Sequence, residues 1–412
     1  MRNYDHCIGI GAVGHKLMCL LAAVVLLPGV VLQAQSNPPR EYTISTLVAA
    51  GELYHPGHLA MDAAGHLYVP DEGNSVVRRV DIATGKMTVF AGSVGRTYKV
   101  GAPGLPAGCE KNGDGCEAAQ ATFGSPRAVA LDMSGNIYIS DFWSSTIRRV
   151  DAATGKISTY AGARTKAEKK VDWSPTALHN PEGIAVDSKG NLYIADRSNN
   201  AIRKVTPSAG ARESVVMTTI AGLGPDSPGC TGDGGKATLA RLTLPQDVAV
   251  DKAGNVYIAD AGCRKVRRIA PDGIITTVAG AGSGAPDPYT AIPHDGLAHA
   301  ALQVGLYKPV GLAFDSAGNL YISDAGFDTL WVYDPAAKQV RLIGGMGPDP
   351  TVGLPCAARR NAWGDGCPAT QAKLNAGYRV AVDAKGNIYI GEHGMGKAQY
   401  PPYTIRVLAP VK

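Results

Sequence analysis

Asp132-Met-Ser-Gly-Asn-Ile-Tyr-Ile-Ser-Asp141 is one of six copies of the phrase Asp-x-x-Gly-x-(apolar)-Tyr-(apolar)-x-(Asp/Glu). The others begin at Asp62, Asp187, Asp251, Asp315 and Asp383. The Asp-x-x-Gly step is a turn, because Asp bonds nearby backbone N–H groups and Gly takes positive φ. The alternating Ile-Tyr-Ile that follows is a strand of period two. A phrase recurring at regular intervals is the signature of a solenoid, a propeller or an array.

Upstream of five of the six copies stands Pro-x-x-(apolar)-Ala-(apolar)-Asp, as at Pro126–Asp132 and Pro245–Asp251. This reads as a short buried strand whose small Ala suits a crowded position. Downstream comes a third strand, Ile147-Arg-Arg-Val150 or Ile202-Arg-Lys-Val205, and then a fourth ending in Ala-Gly, as at Ile157–Gly162 and Ile275–Gly280. Four strands with turns between them make one propeller blade, so six units predict an all-β, six-bladed β-propeller of antiparallel blades. The sixth unit stops at its third strand, Ile405-Arg-Val-Leu408, while Tyr42–Gly51 matches the fourth-strand phrase. The N-terminal strand is therefore predicted to complete the last blade, which removes two open sheet edges.

These motifs resemble the NHL-repeat family over Glu41 to Leu408. The resemblance implies the propeller fold. It leaves function open, because NHL propellers include enzymes, receptor ectodomains and RNA- or protein-binding modules.

Of the 412 residues, 41–412 are expected to form the single propeller. Residues 1–34 read as a signal peptide, with an apolar run at Leu17–Leu32 behind Arg2, His15 and Lys16 and a small Ala34 after it. An uncleaved N-terminal anchor is the alternative; residues 35–40 are a short linker. The mature protein is expected to be secreted or periplasmic, monomeric and without a membrane span. Six cysteines remain after the signal, and an even number in an exported chain suggests disulfides. Cys109–Cys116 and Cys356–Cys367 would each close a small loop, which leaves Cys230 with Cys263. Zinc ligation lacks paired Cys-x-x-Cys spacing. The net charge is +5 with Lys and Arg scattered, which argues against nucleic acid as partner.

The units differ most in long insertions between the fourth strand of one and the first of the next. Three insertions share Gly-Asp-Gly followed by Ala-x-x-Ala, at Asp114, Asp233 and Asp365, with a degenerate form at Asp295. Each offers one carboxylate, whereas calcium takes six to eight oxygen ligands. The preferred reading is a glycine turn leading into a short helix that packs its alanines on the propeller. The third-strand arginines (Arg78, Arg148, Arg203, Arg267, Arg406) read as blade chemistry, with Trp331 the exception.

Equivalent positions near the strand-one Pro carry different residues, among them His58, Arg127, Glu182, Asp247 and Arg379. The connection between strands two and three adds Trp143, Arg197, Phe327 and His393. Such heterogeneity at equivalent sites points to an asymmetric polar mouth on the propeller axis, open to a protein, peptide or carbohydrate ligand. The first functional reading is a binding module without catalysis. The alternative, taken from six-bladed lyases and lactonases, is a metal-dependent enzyme with ligands among His58, His179, Glu182, Asp247 and His393. No cofactor is indicated, although calcium or zinc stays open, and the chain lacks a nucleophile motif.

Overall fold

The computed structural model describes residues 41–49, 51–94, 109, 113–162, 177–207, 215–282, 293, 295–346, 364–375, 379–393 and 403–411. The expected signal peptide and linker, Cys356, and parts of the insertions lie outside the described residues. Six antiparallel sheets follow one another along the chain. In the second blade the strands are Pro126–Leu131, Ile137–Asp141, Thr146–Val150 and Ile157–Ala161, paired in that order. The fifth sheet departs from the four-strand expectation. His299–Ala300 in the preceding insertion pairs with Gln339–Val340 and adds a fifth, outermost strand.

The repeat turn works as its sequence implies. Asp132 Oδ1 accepts the backbone N–H groups of Ser134 and Asn136, each at 2.9 Å. Its Oδ2 accepts Asn136 Nδ2 at 2.8 Å and the Tyr138 hydroxyl at 3.1 Å. One carboxylate thus satisfies four donors and ties the turn to the strand beyond it. Gly135 supplies the positive φ of 81° that the turn needs.

Ring closure is observed in detail. Tyr42–Val48 pairs antiparallel with Thr404–Pro410, the third strand of the sixth blade. Ile44 donates to Cys367 O and accepts from Gly366 N. Ile157 exchanges the same bonds with Cys116 and Gly115, and Ile275 does so with Gly235 and Gly234. The strand nearest the N-terminus is therefore the chemical equivalent of a fourth strand elsewhere.

The Gly-Asp-Gly insertions fasten blade to blade. Their short helices, at Ala118–Gln120, Ala237–Leu239 and Ala369–Gln371, are 3₁₀ turns, and no side chain caps them. The aspartates turn to third-strand arginines instead. Asp114 meets Arg148 at 2.6 Å, Asp233 meets Arg267 at 2.7 Å, and Asp365 meets Arg406 at 2.9 Å. A fourth-strand threonine also donates to each carboxylate: Thr159, Thr277 and, from the N-terminal strand, Thr46. The alanines pack as expected, with Ala118, Ala121, Ala237, Ala240, Ala369 and Ala372 all buried. Carbonyls of Ala118, Ala237 and Ala369 accept from Gly92, Gly222 and Gly345 at the ends of the preceding blades. In the fifth blade Trp331 replaces the arginine, and Asp295 of the degenerate phrase pairs with His299 at 3.0 Å.

Two expected disulfides are formed, Cys109–Cys116 and Cys230–Cys263. Cys367 is also disulfide-bonded. A bond of this kind contributes about 2–4 kcal/mol, chiefly by restricting the unfolded chain. Among the described residues no helix is long and apolar enough to cross a membrane.

If Tyr42–Val48 is integral to the sixth blade, Ile44→Ala should cost about 2–5 kcal/mol, the range for a buried aliphatic truncation. The equivalent Ile275→Ala should cost the same. Denaturant unfolding of both variants measures this, and a near-neutral Ile44→Ala would contradict closure.

Candidate functional site at the channel mouth

The inner strands meet at the axis with backbone against backbone. His58 N–H donates to Arg127 O at 2.7 Å, and Val129 N–H donates to His58 O at 3.3 Å. Small residues are obligatory here. A Cβ on Gly183 would lie 1.9 Å from Asp247 Oδ1, so the glycine of the third blade makes room for the carboxylate of the fourth. Gly57 is confined in the same way by Arg127 O, at 2.2 Å.

Two polar pairs cross the axis between opposite blades, one of them ionic. His58 of blade one reaches Asp247 of blade four, Nδ1 to Oδ2, at 3.1 Å. Arg379 of blade six reaches Glu182 of blade three at 2.8 Å and donates to Val310 O at 2.7 Å. All four residues are buried. Burial first, and the nearby Arg379 charge second, hold the His58 imidazole below its usual range, so it is neutral. Its proton then sits on Nδ1, donated to Asp247, and among the described residues Nε2 has no hydrogen-bond partner. Asp247 is completed by the N–H groups of Val248 and Leu312, both at 2.8 Å. Beyond the pairs lies a cavity of about 220 Å³ lined by inner-strand residues, including Ala60, Ala130, Ala185, Ala249 and Phe314. His58 and Asp247 form part of its wall.

Outside these pairs the mouth is polar and asymmetric. Arg127 Nη1 lies 3.2 Å from Glu72 and 3.6 Å from Glu182. Its guanidinium stacks 4.5 Å from the centroid of Phe142, and Arg197 sits 5.9 Å from the same ring. Trp143 meets Phe142 edge-on and is 68% exposed. On the blade one and six side, Tyr54, His55, His393 and Tyr403 form an aromatic cluster with ring centroids 4.5–6.4 Å apart. His393 Nε2 donates to Pro56 O at 2.8 Å. Burial, then Arg379, depress its imidazole to about 3. Burial likewise lowers His55, with Arg127 second.

Of the residues singled out from sequence, His58, Arg127, Glu182, Asp247 and Arg379 converge on the axis. Arg197, Trp143 and His393 stand around them. Phe327 does not present a face, being buried with its ring 5.3 Å from Tyr307. His179 contributes its backbone N–H to Asp196 at 2.8 Å. Glu182 and Asp247, proposed as metal ligands, are engaged by a guanidinium and an imidazole. Among the described residues no three His, Cys, Asp or Glu side chains group as a metal site. Sequence reasoning missed Glu72, Phe142, His55 and Lys308. Glu72 and Phe142 directly follow the second-strand carboxylate, the position held by Arg197 and His393. His55 and Lys308 directly precede the strand-one Pro. Variation at those two further equivalent positions was the available signal.

A family profile described as Teneurin NHL domain matches residues 37–174 and 208–291, and one described as NHL repeat matches 178–205. Mouse teneurin-3 is 31% identical over 294 residues, which is 66% of this chain and 10% of that protein. The chloroplastic protein Suppressor of quenching 1 from Arabidopsis thaliana is 26% identical over 162 residues, 39% of this chain and 15% of that protein. The chain thus spans a small part of the curated relatives it matches. A Bacteroides thetaiotaomicron protein of unknown function superposes with a TM-score of 0.58 at 15% identity, covering 89% of this chain and 76% of that one. A gluconolactonase from Xanthomonas campestris superposes at 0.50 and 13% identity, covering 90% and 95%. At these identities the likeness concerns the fold alone.

Glu72 gives the mouth a measurable pH signature. Burial raises its carboxyl from 4.5 to about 7, against the lowering effect of Arg127. The folded protein therefore holds this proton where an unfolded chain has lost it, and stability falls as pH rises through that window. Glu72→Gln should remove this dependence. Wild type and variant should match near pH 4, and the wild type should lose up to about 3 kcal/mol relative to the variant by pH 8. Denaturant unfolding across that range checks it.

Proposed function

We propose that this chain, which belongs to the teneurin NHL-domain family of NHL-repeat propellers, is an exported binding module that takes its ligand at the channel mouth without chemical conversion. The observation that carries this reading is the closure of the axis by His58–Asp247 and Arg379–Glu182. On this reading the cross-axis pairs form a polar floor to the outer end of the channel. Arg127 remains 22% exposed there and Trp143 stands at its rim. Connections after strands two and four leave an antiparallel meander from the same end, so the insertions are rooted on the face that carries the mouth. Loops on a rigid scaffold are where binding residues concentrate. A protein, peptide or carbohydrate ligand fits such a mouth, bound by a monomer. The disulfides support an oxidising compartment, secreted or periplasmic.

Arrays of glycans and peptides probed with wild type, Arg127→Gln and Trp143→Ala test the reading. Ligands of the mouth should bind each variant about tenfold or more weakly while thermal unfolding stays near wild type. Array signals that survive both substitutions would place binding elsewhere and defeat it. Export has a separate check: the N-terminus of protein recovered outside the cytoplasm should begin just after Ala34.

A further inference from the structure

The wedges between neighbouring blades are built alike, and the one between blades three and four opens into a cavity. In four other wedges the second-strand tyrosine meets a second aromatic ring. Tyr68 meets Phe90 at 5.0 Å, Tyr138 meets Tyr160 at 4.9 Å and Tyr257 meets Phe314 at 5.1 Å. Tyr321 meets Tyr42 through hydroxyls 3.2 Å apart. Between blades three and four, Ile220 holds the position that Phe90 and Tyr160 hold, two residues before the glycine that follows the fourth strand. Among the described residues no aromatic ring reaches Tyr193, and Lys204 Nζ stands 5.6 Å from its centroid. The cavity measures about 580 Å³. Small-molecule sites span about 300–1,000 Å³. Tyr193, Ile220, Val256 and Ile269 give it an apolar lining, and the Asp-x-x-Gly turns of the two blades wall it at the end of the propeller opposite the mouth.

Four ammonium groups and three carboxylates line the cavity: Lys189, Lys204, Lys236 and Lys252 against Asp187, Asp251 and Asp272. The carboxylates are engaged within their own turns. Asp187 accepts the N–H groups of Lys189 and Asn191, Asn191 Nδ2 and the Tyr193 hydroxyl, at 2.7–3.1 Å. Asp251 accepts from Ala253 N and from Asn255 N and Nδ2, at 2.7–3.0 Å. Asp272 accepts the Ile274 N–H at 3.0 Å. Lys252 Nζ donates to Ser316 O at 2.7 Å. Among the described residues no hydrogen bond or salt bridge engages the ammonium groups of Lys189, Lys204 or Lys236. The hydrogen-bonding capacity left in the wall is therefore mainly that of donors, which suits an acceptor-rich anion. We propose that the wedge between blades three and four is a second ligand site, independent of the mouth, for an organic oxyanion. Its carboxylate or phosphate group lies among the three lysines, and its apolar body rests on Ile220.

Calorimetric titration of the protein with 2-naphthoate, 2-naphthyl phosphate and 2-naphthol tests the site, since the three share one ring system and differ in the anionic group. At least one anionic probe should bind about tenfold or more tightly than 2-naphthol, and added salt should weaken it. The tighter of the two identifies the anion. Ile220→Phe puts into this wedge the kind of ring that blades one and two already carry, so it should abolish binding while thermal unfolding stays near wild type. Lys189→Gln, Lys204→Gln and Lys236→Gln combined should reduce affinity about tenfold or more, and this variant decides should Ile220→Phe fail to fold. The proposal is overturned if neither anionic probe binds at millimolar concentration, if 2-naphthol binds equally well, or if the lysine variant binds undiminished. Binding that survives Ile220→Phe in a folded protein, or that Arg127→Gln removes, places the anion elsewhere and likewise overturns it.

Discussion

At the end of the second strand of every blade a fully buried carboxylate faces inward: Asp71, Asp141, Asp196, Asp260, Asp324 and Glu392. It accepts backbone N–H groups from the segment that leads into the first strand of the same blade. Tyr54 donates to Asp71, Ser125 to Asp141, His179 to Asp196 and Thr243 to Asp260, each at 2.8 Å. Tyr307 and Lys308 donate to Asp324. Third-strand arginines approach four of the six, at 2.9–3.7 Å. A buried carboxylate without such partners would be costly, so the entry to each inner strand is held firmly. That entry carries the residues of the mouth, whose positions follow from it.

The insertions add a second level of constraint. In blades two, four and six an aspartate in the insertion, a third-strand arginine and a fourth-strand threonine form one unit. The adjoining alanine turn binds the end of the previous blade. In the sixth blade the threonine comes from the other end of the chain, so ring closure and the insertion share one contact. Breaking such a buried pair strands a charge, which costs far more than the pair contributes to net stability. Blade five follows another route, with Trp331 buried in the arginine position and its ring N–H donated to Thr329.

The mouth inherits sixfold geometry and departs from sixfold chemistry. Every blade delivers residues to neighbouring positions at the axis, and blades one and four, like blades three and six, deliver complementary ones. Glycine at Gly183 and Gly57 admits the larger neighbours, so sparse side chains on some blades are the condition for charged ones on others. The result is a mouth that holds a neutral His58 against Asp247, a Glu72 carboxyl raised by burial to about 7, and two guanidinium groups at the Phe142 ring.

Strand order, turn chemistry and the displaced closing strand were all legible in the sequence, because period-two alternation and Asp-x-x-Gly turns are local and repeat six times. The mouth was legible as a set of varying positions. Its pairings were not. Glu182 and Arg379 are 197 residues apart. Their meeting depends on which blades stand opposite one another and on how closely the inner strands approach. The same holds for Asp114, Asp233 and Asp365, where a Gly-Asp-Gly turn by itself cannot disclose that an arginine from another strand ends beside it. Local hydrogen bonding writes the blade into the sequence; the contacts that cross the axis form only when the ring closes, because their partners belong to different units.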